Sequence, residues 1–285
     1  MEHHHPNRPR ARARWLLPAA ALLLGLGWYG NKTIETSTYT ISSAQLPAAF
    51  SGFRIVQISD LHGAQFGAAQ SRLLDAVREA APDLIALTGD LADTYAPDDG
   101  LAALLRALGA IAPVYYVTGN HEWVMPRAQR SALFSALAAC GVVRLENEYR
   151  ILTRGEARIV LAGVDDPNGP LERKSAAQLL REVRAAEGED AYVVLLAHRN
   201  DQLPLWAGLG VDVVLCGHAH GGVVRLPLLG PVFGTHYELF PDDAEGLYHE
   251  GATTQLVSRG LGQSRRIPFR VLNRPELPLV ILECE

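Results

Sequence analysis

The chain has 285 residues, 48% of them hydrophobic and 20% charged, with a formal charge of −5 at pH 7. That composition excludes an intrinsically disordered protein, and the length suits one compact enzyme-sized domain. Residues 1–30 hold Arg8, Arg10, Arg12 and Arg14 against the single acid Glu2, which leaves 22 basic and 30 acidic residues in the body. Such an acidic body lacks the clustered cations that release counterions from a phosphate backbone, so nucleic acid is excluded as a partner.

Behind the arginines, Trp15 to Gly30 reads WLLPAAALLLGLGWYG without a charge, a membrane-targeting pattern. Sixteen residues is short for a bilayer span, and a cleaved signal peptide is the competing reading. Trp28 and Tyr29 close the run with aromatics suited to a membrane interface, and no small-residue cleavage site follows, so a retained anchor is predicted. The division expected is a basic tail over 1–14, a hydrophobic anchor over 15–30 and one catalytic domain over 31–285. By the positive-inside rule that domain lies outside the cytoplasm. His3, His4 and His5 belong to the tail and are left out of the site. Cys140, Cys216 and Cys284 are odd in number and lack CxxC spacing, so no disulfide framework is expected.

After an extended stretch at Thr38–Ile41, the run from Phe53 to Asp60 reads as a buried strand. Ser71–Ala81 places Leu73, Leu74, Val77 and Ala81 on one helical face, and Pro82 stops it. The second strand is DLIALTGD, ending at Asp90. Leu101–Ile111 repeats the helical pattern before Pro113, and VYYVTGNHE gives a third strand and its loop. Strand and helix in alternation predict parallel pairing with helices on the sheet faces. Later strands are read at Arg158–Gly163, Tyr192–His198 and Val211–His218, with a helix over Ser175–Ala186. The C-terminal part is rich in strands and turns. The predicted class is α/β, two layers of mixed sheet flanked by helices.

Residues able to ligate metal stand at the ends of these strands: Asp60 and His62, then Asp90, then Asn120 and His121, then His198, then His218 and His220. Each alone has an ordinary structural use, the carboxylates as turn caps and a lone histidine as a hydrogen-bonded core residue. The set is harder to dismiss. Of seven histidines outside the tail, only His236 and His249 fall elsewhere. Strand C-terminal ends are where ligand crevices form in open α/β sheets. Two aspartates, an asparagine and imidazoles without a thiolate suit Mn, Fe or Zn better than Ca or Mg, and a carboxylate flanked by ligands on both sides makes a two-metal site.

The series D-x-H, GD, GNHE, H and GHxH, complete from Asp60 to His220, resembles the signature of calcineurin-like metallophosphoesterases. The hydrophobic N-terminus, AGVDDP at Ala162–Pro167, SRGLG and NRPE are similar to the membrane-associated bacterial subgroup typified by YaeI and YkuE. The resemblance implies an αββα fold and two divalent ions. By similarity Asp60, His62 and His220 would hold one ion, Asn120, His198 and His218 the other, and Asp90 would bridge them. His121 would act as general acid toward the leaving oxygen while a hydroxide between the ions attacks phosphorus. A phosphodiester or pyrophosphate substrate is implied, a lipid-linked one in view of the anchor.

One departure stands after His198, where Arg199-Asn200-Asp201 replaces a pattern with proline near position 200. Arg199 is a candidate substrate contact or a partner in a salt bridge. Asp165 and Asp166 read either as supports of a ligating histidine or as turn residues. The apolar stretch VVRLPLLGPVFG after Gly222 reads either as a core strand with a packed turn or as a rim that takes acyl chains or leans on a bilayer. A non-catalytic scaffold on the same fold would be expected to lose ligands, and none is lost here. A metallo-β-lactamase-like hydrolase needs an HxHxDH motif that is absent.

Overall fold

Short runs of Val, Ile and Leu bounded by glycine, proline and aspartate build two six-stranded sheets. The computed structural model describes residues 25, 30–92, 99–170, 173–235, 237–263 and 270–285. In the first sheet lie β1 (Glu35–Ser43), β2 (Phe53–Ile58), β3 (Leu84–Thr88), β4 (Val114–Val117), β5 (Val143–Arg144) and the C-terminal β14 (Glu276–Cys284), in the order β1-β14-β2-β3-β4-β5. The second holds β6 (Glu148–Arg154), β7 (Ala157–Gly163), β8 (Val193–Leu196), β9 (Val213–Cys216), β12 (Gly246–Glu250) and β13 (Thr253–Val257), in the order β12-β13-β9-β8-β7-β6. Both are mixed. β2 to β5 run parallel, as do β7, β8, β9 and β13, while β14 is antiparallel to β2 and β6 to β7. A separate hairpin joins β10 (Val224–Leu226) to β11 (Gly230–Phe233).

Side-chain alternation along a strand explains why the central strands read as unbroken apolar runs. In β3, Leu84 and Ala86 enter the core between the sheets, whereas Ile85 and Leu87 enter the core beneath the helices. Helices α1 (Ser71–Ala80), α2 (Asp99–Gly109) and α4 (Arg127–Ala139) cover the first sheet with Leu73, Val77, Leu105, Leu108, Leu133 and Leu137. Helices α5 (Ala176–Glu187) and α6 (Leu203–Gly208) cover the second with Leu179, Leu180, Val183 and Trp206. Three apolar layers separated by two sheets make the expected αββα architecture.

Several boundaries differ from the sequence reading. Ala81 is not on the face of α1; it follows the helix in a left-handed turn at φ 44°, and Ala80 is the buried residue. Asn120, His121 and Glu122 are not loop but the first turn of α3 (Asn120–Val124). Helix α4, strand β6 and helix α6 were not read from sequence. Apart from Gly25 and Gly30, the hydrophobic run 15–30 and the tail before it lie outside the described residues. Among the described residues no helix is long and apolar enough to cross a membrane.

Candidate metal centre

Parallel strands β2, β3 and β4 and their counterparts β8 and β9 all end toward one crevice, and the turns that follow them carry the chemistry. All eight strand-end residues singled out in the sequence meet there. Asp60 and Asp90 are fully buried, as is His198. Oδ2 of Asp90 lies 3.3 Å from His198 Nε2, 3.7 Å from His62 Nε2 and 3.8 Å from His121 Nε2. Asp60 Oδ1 is 3.5 Å from His220 Nε2, which is 3.3 Å from His62 Nε2. His198 Nε2 is 3.1 Å from Asn120 Oδ1 and 3.2 Å from His218 Nδ1. Asp60, His62 and His220 form one group with donor atoms within 4.8 Å of one another; Asp90, His198 and His218 form a second; His62, Asp90 and His121 lie between them.

Bringing five loops this close strains their backbones. Asp60, His62, Asp90, His218 and His220 all have positive φ, between 47° and 69°, a region that L-residues other than glycine enter at a cost of about 1–3 kcal/mol each. Two glycines let the loops touch. A Cβ on Gly89, itself at φ 92°, would stand 2.6 Å from both Gly119 N and His198 Nδ1. One on Gly217 would collide with Ser59 Oγ and Asp60 Oδ2.

Other residues hold the ligands in place. Thr88 O lies 2.8 Å from His198 Nδ1; as a carbonyl it only accepts, so Nδ1 carries the proton and a neutral His198 presents its Nε2 lone pair to the crevice. That lone pair then faces the acceptors Asp90 Oδ2 and Asn120 Oδ1. A proton on Nε2 or a bound cation satisfies those acceptors, and the mixed N/O donor set fits divalent transition metals. The buried carboxylate of Glu122 accepts from three backbone N–H groups, Asp90 at 3.0 Å, Leu91 at 2.8 Å and Gly119 at 2.8 Å, tying the β3 loop to the β4 loop. Asn273 Nδ2 donates to His220 O at 2.8 Å, and the buried Arg270 donates to the same carbonyl at 3.4 Å. Glu122 stood within GNHE and Asn273 within NRPE, and neither was assigned a role; Arg270 carried no local signal.

Electrostatics sort the ligands by charge. Burial drives His218 down to about 3, with His198 nearby adding to the effect. Burial, His62 and Arg270 together hold His220 well below the usual imidazole range. Both are thus neutral, the form that ligates. Burial would also lower His198, but the Asp90 carboxylate outweighs it and raises that imidazole to about 10. Burial would raise Asp90, but His198, His62 and His121 outweigh it and hold it well below the carboxylate range. In the metal-free chain the Asp90–His198 pair therefore contributes its full stabilisation between the ordinary values of 3.8 and 6.5; that contribution is lost as acid protonates Asp90, and it declines as pH rises from 6.5 through about 10. Metal loading at pH 7 is expected to expel the His198 proton, and binding calorimetry in buffers of different ionisation enthalpy will show that release, reduced as pH approaches 10.

Arg199 stands apart from the ligands. Its guanidinium grips Asp166 at 2.6 and 3.2 Å, which is the salt-bridge reading, and it lines a cleft of about 320 Å³ with His198, Arg173, Lys174, Leu205 and Trp206. Among the bonds described, Asp165 takes Thr118 Oγ1 at 2.7 Å and pairs with Arg173, and Asp166 caps the turn at Asn168. Both therefore brace the turn.

The model of the calcineurin-like phosphoesterase family matches residues 53–222, the stretch that contains all eight candidate residues. The chain belongs to that family. The metallophosphoesterase YkuE of Bacillus subtilis is 32% identical over 287 residues, covering 94% of this chain and 93% of its own. The phosphodiesterase YaeI of Escherichia coli is 28% identical, covering 81% and 82%. A transmembrane protein with a metallophosphoesterase domain from Danio rerio is 28% identical, covering 84% of this chain and 55% of its own. As a calcineurin-like phosphoesterase, the protein is a metal-dependent hydrolase of phosphoric esters, and the crevice between its sheets is where divalent ions fit.

Proposed function

We propose that this phosphoesterase is a two-metal phosphodiesterase or pyrophosphatase acting on a lipid-linked substrate at a membrane, held there by residues 15–30 with its catalytic domain outside the cytoplasm. The observation that carries the catalytic reading is the position of Asp90, whose Oδ2 faces imidazoles from three different loops and joins two donor groups. In this reading Asp60, His62 and His220 would hold one ion, Asn120, His198 and His218 the second, and Asp90 would serve both; Mn²⁺, iron or Zn²⁺ suit the donors. When bound, the two ions supply an activated water and neutralise charge on the phosphoryl oxygens.

The chain's own residues do the rest. Asp60 and Asp90 offset the positive charge of the centre, and the strained turns fix the ligands before substrate arrives, so little reorganisation remains in the transition state. His121 is a quarter exposed at the mouth of the crevice while its backbone N–H is held by Asp90 Oδ1 at 2.9 Å. An imidazole so placed can deliver a proton to the leaving oxygen. The adjoining cleft, with Arg173, Lys174 and Arg199 on its walls, supports recognition of an anionic group remote from the scissile bond; Arg199 would join once Asp166 shares it.

His121→Ala keeps the backbone bond to Asp90, so metal content is expected to stay near the wild-type value while kcat falls by about 10²–10³. The loss is expected to shrink for p-nitrophenyl esters, whose leaving group needs no proton, and unchanged kcat with an alkyl phosphodiester would remove His121 from the mechanism. The reading of substrate class is tested with the full chain in detergent by comparing bis-p-nitrophenyl phosphate, p-nitrophenyl phosphate, a phospholipid and a polyprenyl pyrophosphate. Turnover of a lipid substrate supports it; turnover of the soluble diester alone, with both lipids refused, contradicts it.

A further inference from the structure

We propose that the β10–β11 hairpin and the segment packed beside it form a second membrane contact, which seats the rim of the metal centre on a lipid bilayer. The hairpin turn exposes Leu226, Leu228 and Leu229, Leu228 completely, and the segment after it exposes Tyr237, Leu239 and Phe240. These side chains belong to one surface. Phe233 bridges to Leu239, Phe240 N–H donates to Val232 O at 3.1 Å, and the rings of Phe233 and Tyr237 are 6.1 Å apart. Leu272 extends the surface, because Val271 bridges to Val224 at the base of the hairpin. Exposed apolar side chains grouped in this way mark interaction sites.

Where the chain leaves its hydrophobic run identifies the occupant. Gly30 lies against the Arg274 side chain, Asn31 Nδ2 donates to Arg270 O at 3.1 Å, and Arg274 donates to Ile34 O at 3.2 Å. The uncharged run 15–29 therefore joins the domain within two residues of Val271 and Leu272, on the side that carries the apolar hairpin. A bilayer that receives the run also meets the hairpin. A leucine-tipped turn suits insertion among lipids, whereas a stable second copy would require a broad face of about 800 Å². The same short stretch reaches the metal centre, since Asn273 and Arg270 hold the carbonyl of His220. Docking by the hairpin would place the crevice at headgroup level, where a lipid phosphoester presents itself.

This inference rests on the anchor reading above, and the test separates the two. Full-length protein with Cys140→Ser and Cys284→Ser is placed in nanodiscs carrying an environment-sensitive fluorophore at Leu228→Cys, Leu239→Cys or, as control, Glu189→Cys on the exposed loop after α5. Diester turnover by each labelled protein reports that it is folded. Labels at 228 and 239 are expected to be quenched by brominated lipid, shielded from aqueous iodide and placed roughly 5–10 Å into the bilayer boundary, with the reverse behaviour at 189. Iodide quenching at 228 and 239 overturns the contact. Shielding without lipid quenching also overturns it, in favour of a second copy. Extraction of the chain from membranes by alkaline carbonate would refute the anchor alone, because lipid quenching at 228 would still support the hairpin.

Discussion

Asp90→Asn is expected to reduce turnover at least about 10³-fold, a loss of about 4 kcal/mol of transition-state stabilisation. The substitution is nearly isosteric, and its Oδ1 can still accept the His121 N–H, so the loop geometry is kept. What changes is charge at the one atom that faces His198, His62 and His121 together. An amide cannot bridge two cations as a carboxylate does, so both donor groups weaken at once. His198, which owes its raised pKa to Asp90, then drops toward its ordinary value, and metal uptake at pH 7 releases fewer protons. Kinetics and metal content measured on the same preparation test this; normal turnover with two bound ions would remove Asp90 from the centre.

Glu122→Ala is expected to be the most damaging change that touches neither substrate nor metal. It leaves the backbone N–H groups of Asp90, Leu91 and Gly119 buried without their acceptor, at about 1–3 kcal/mol for each donor. The total, about 3–6 kcal/mol after partial relaxation, is a large share of the stability of an ordinary domain. Glu122→Gln retains one acceptor oxygen but turns an NH₂ toward a backbone donor, so it should recover only part of the loss. Burial and the Asp90 carboxylate push Glu122 up to about 7. Its ionised form is therefore disfavoured in the metal-free fold, and its contribution declines as pH rises from the ordinary 4.5 through about 7. Urea unfolding of the metal-free proteins at pH 5 and pH 8 measures both effects, and a Glu122→Ala midpoint equal to wild type would contradict this account.

The candidate ligands were legible because histidine, aspartate and asparagine recur at strand ends, where the topology collects loops at one edge of each sheet. The parallel pairing and the two helix-flanked layers followed from alternating strands and helices, and the near-continuous apolar runs followed from burial on both faces. Support was harder to see. Glu122 looks like any acid in the first turn of a helix, and only the fold shows three amides converging on it. Arg270 and Asn273 act on His220 from a segment 50 residues away, a separation that no local pattern encodes. Helix α4 was missed because its buried face carries only Leu133 and Leu137, too sparse a stripe for periodicity to reveal. In VVRLPLLGPVFG the apolar residues gave no sign of burial or exposure; the structure places Val223 in the core and the leucines at the hairpin turn in solvent, so the packed-turn reading fails.

The central claim, two ions in one centre joined by Asp90, is tested most directly by titrating chelator-stripped full-length protein with Mn²⁺ while following bis-p-nitrophenyl phosphate hydrolysis and bound metal together. The account predicts negligible activity in the stripped protein and a rise that saturates at two ions per chain, with Asp90→Asn failing to reach that stoichiometry. Full activity at one ion per chain, or in the stripped protein, would contradict it.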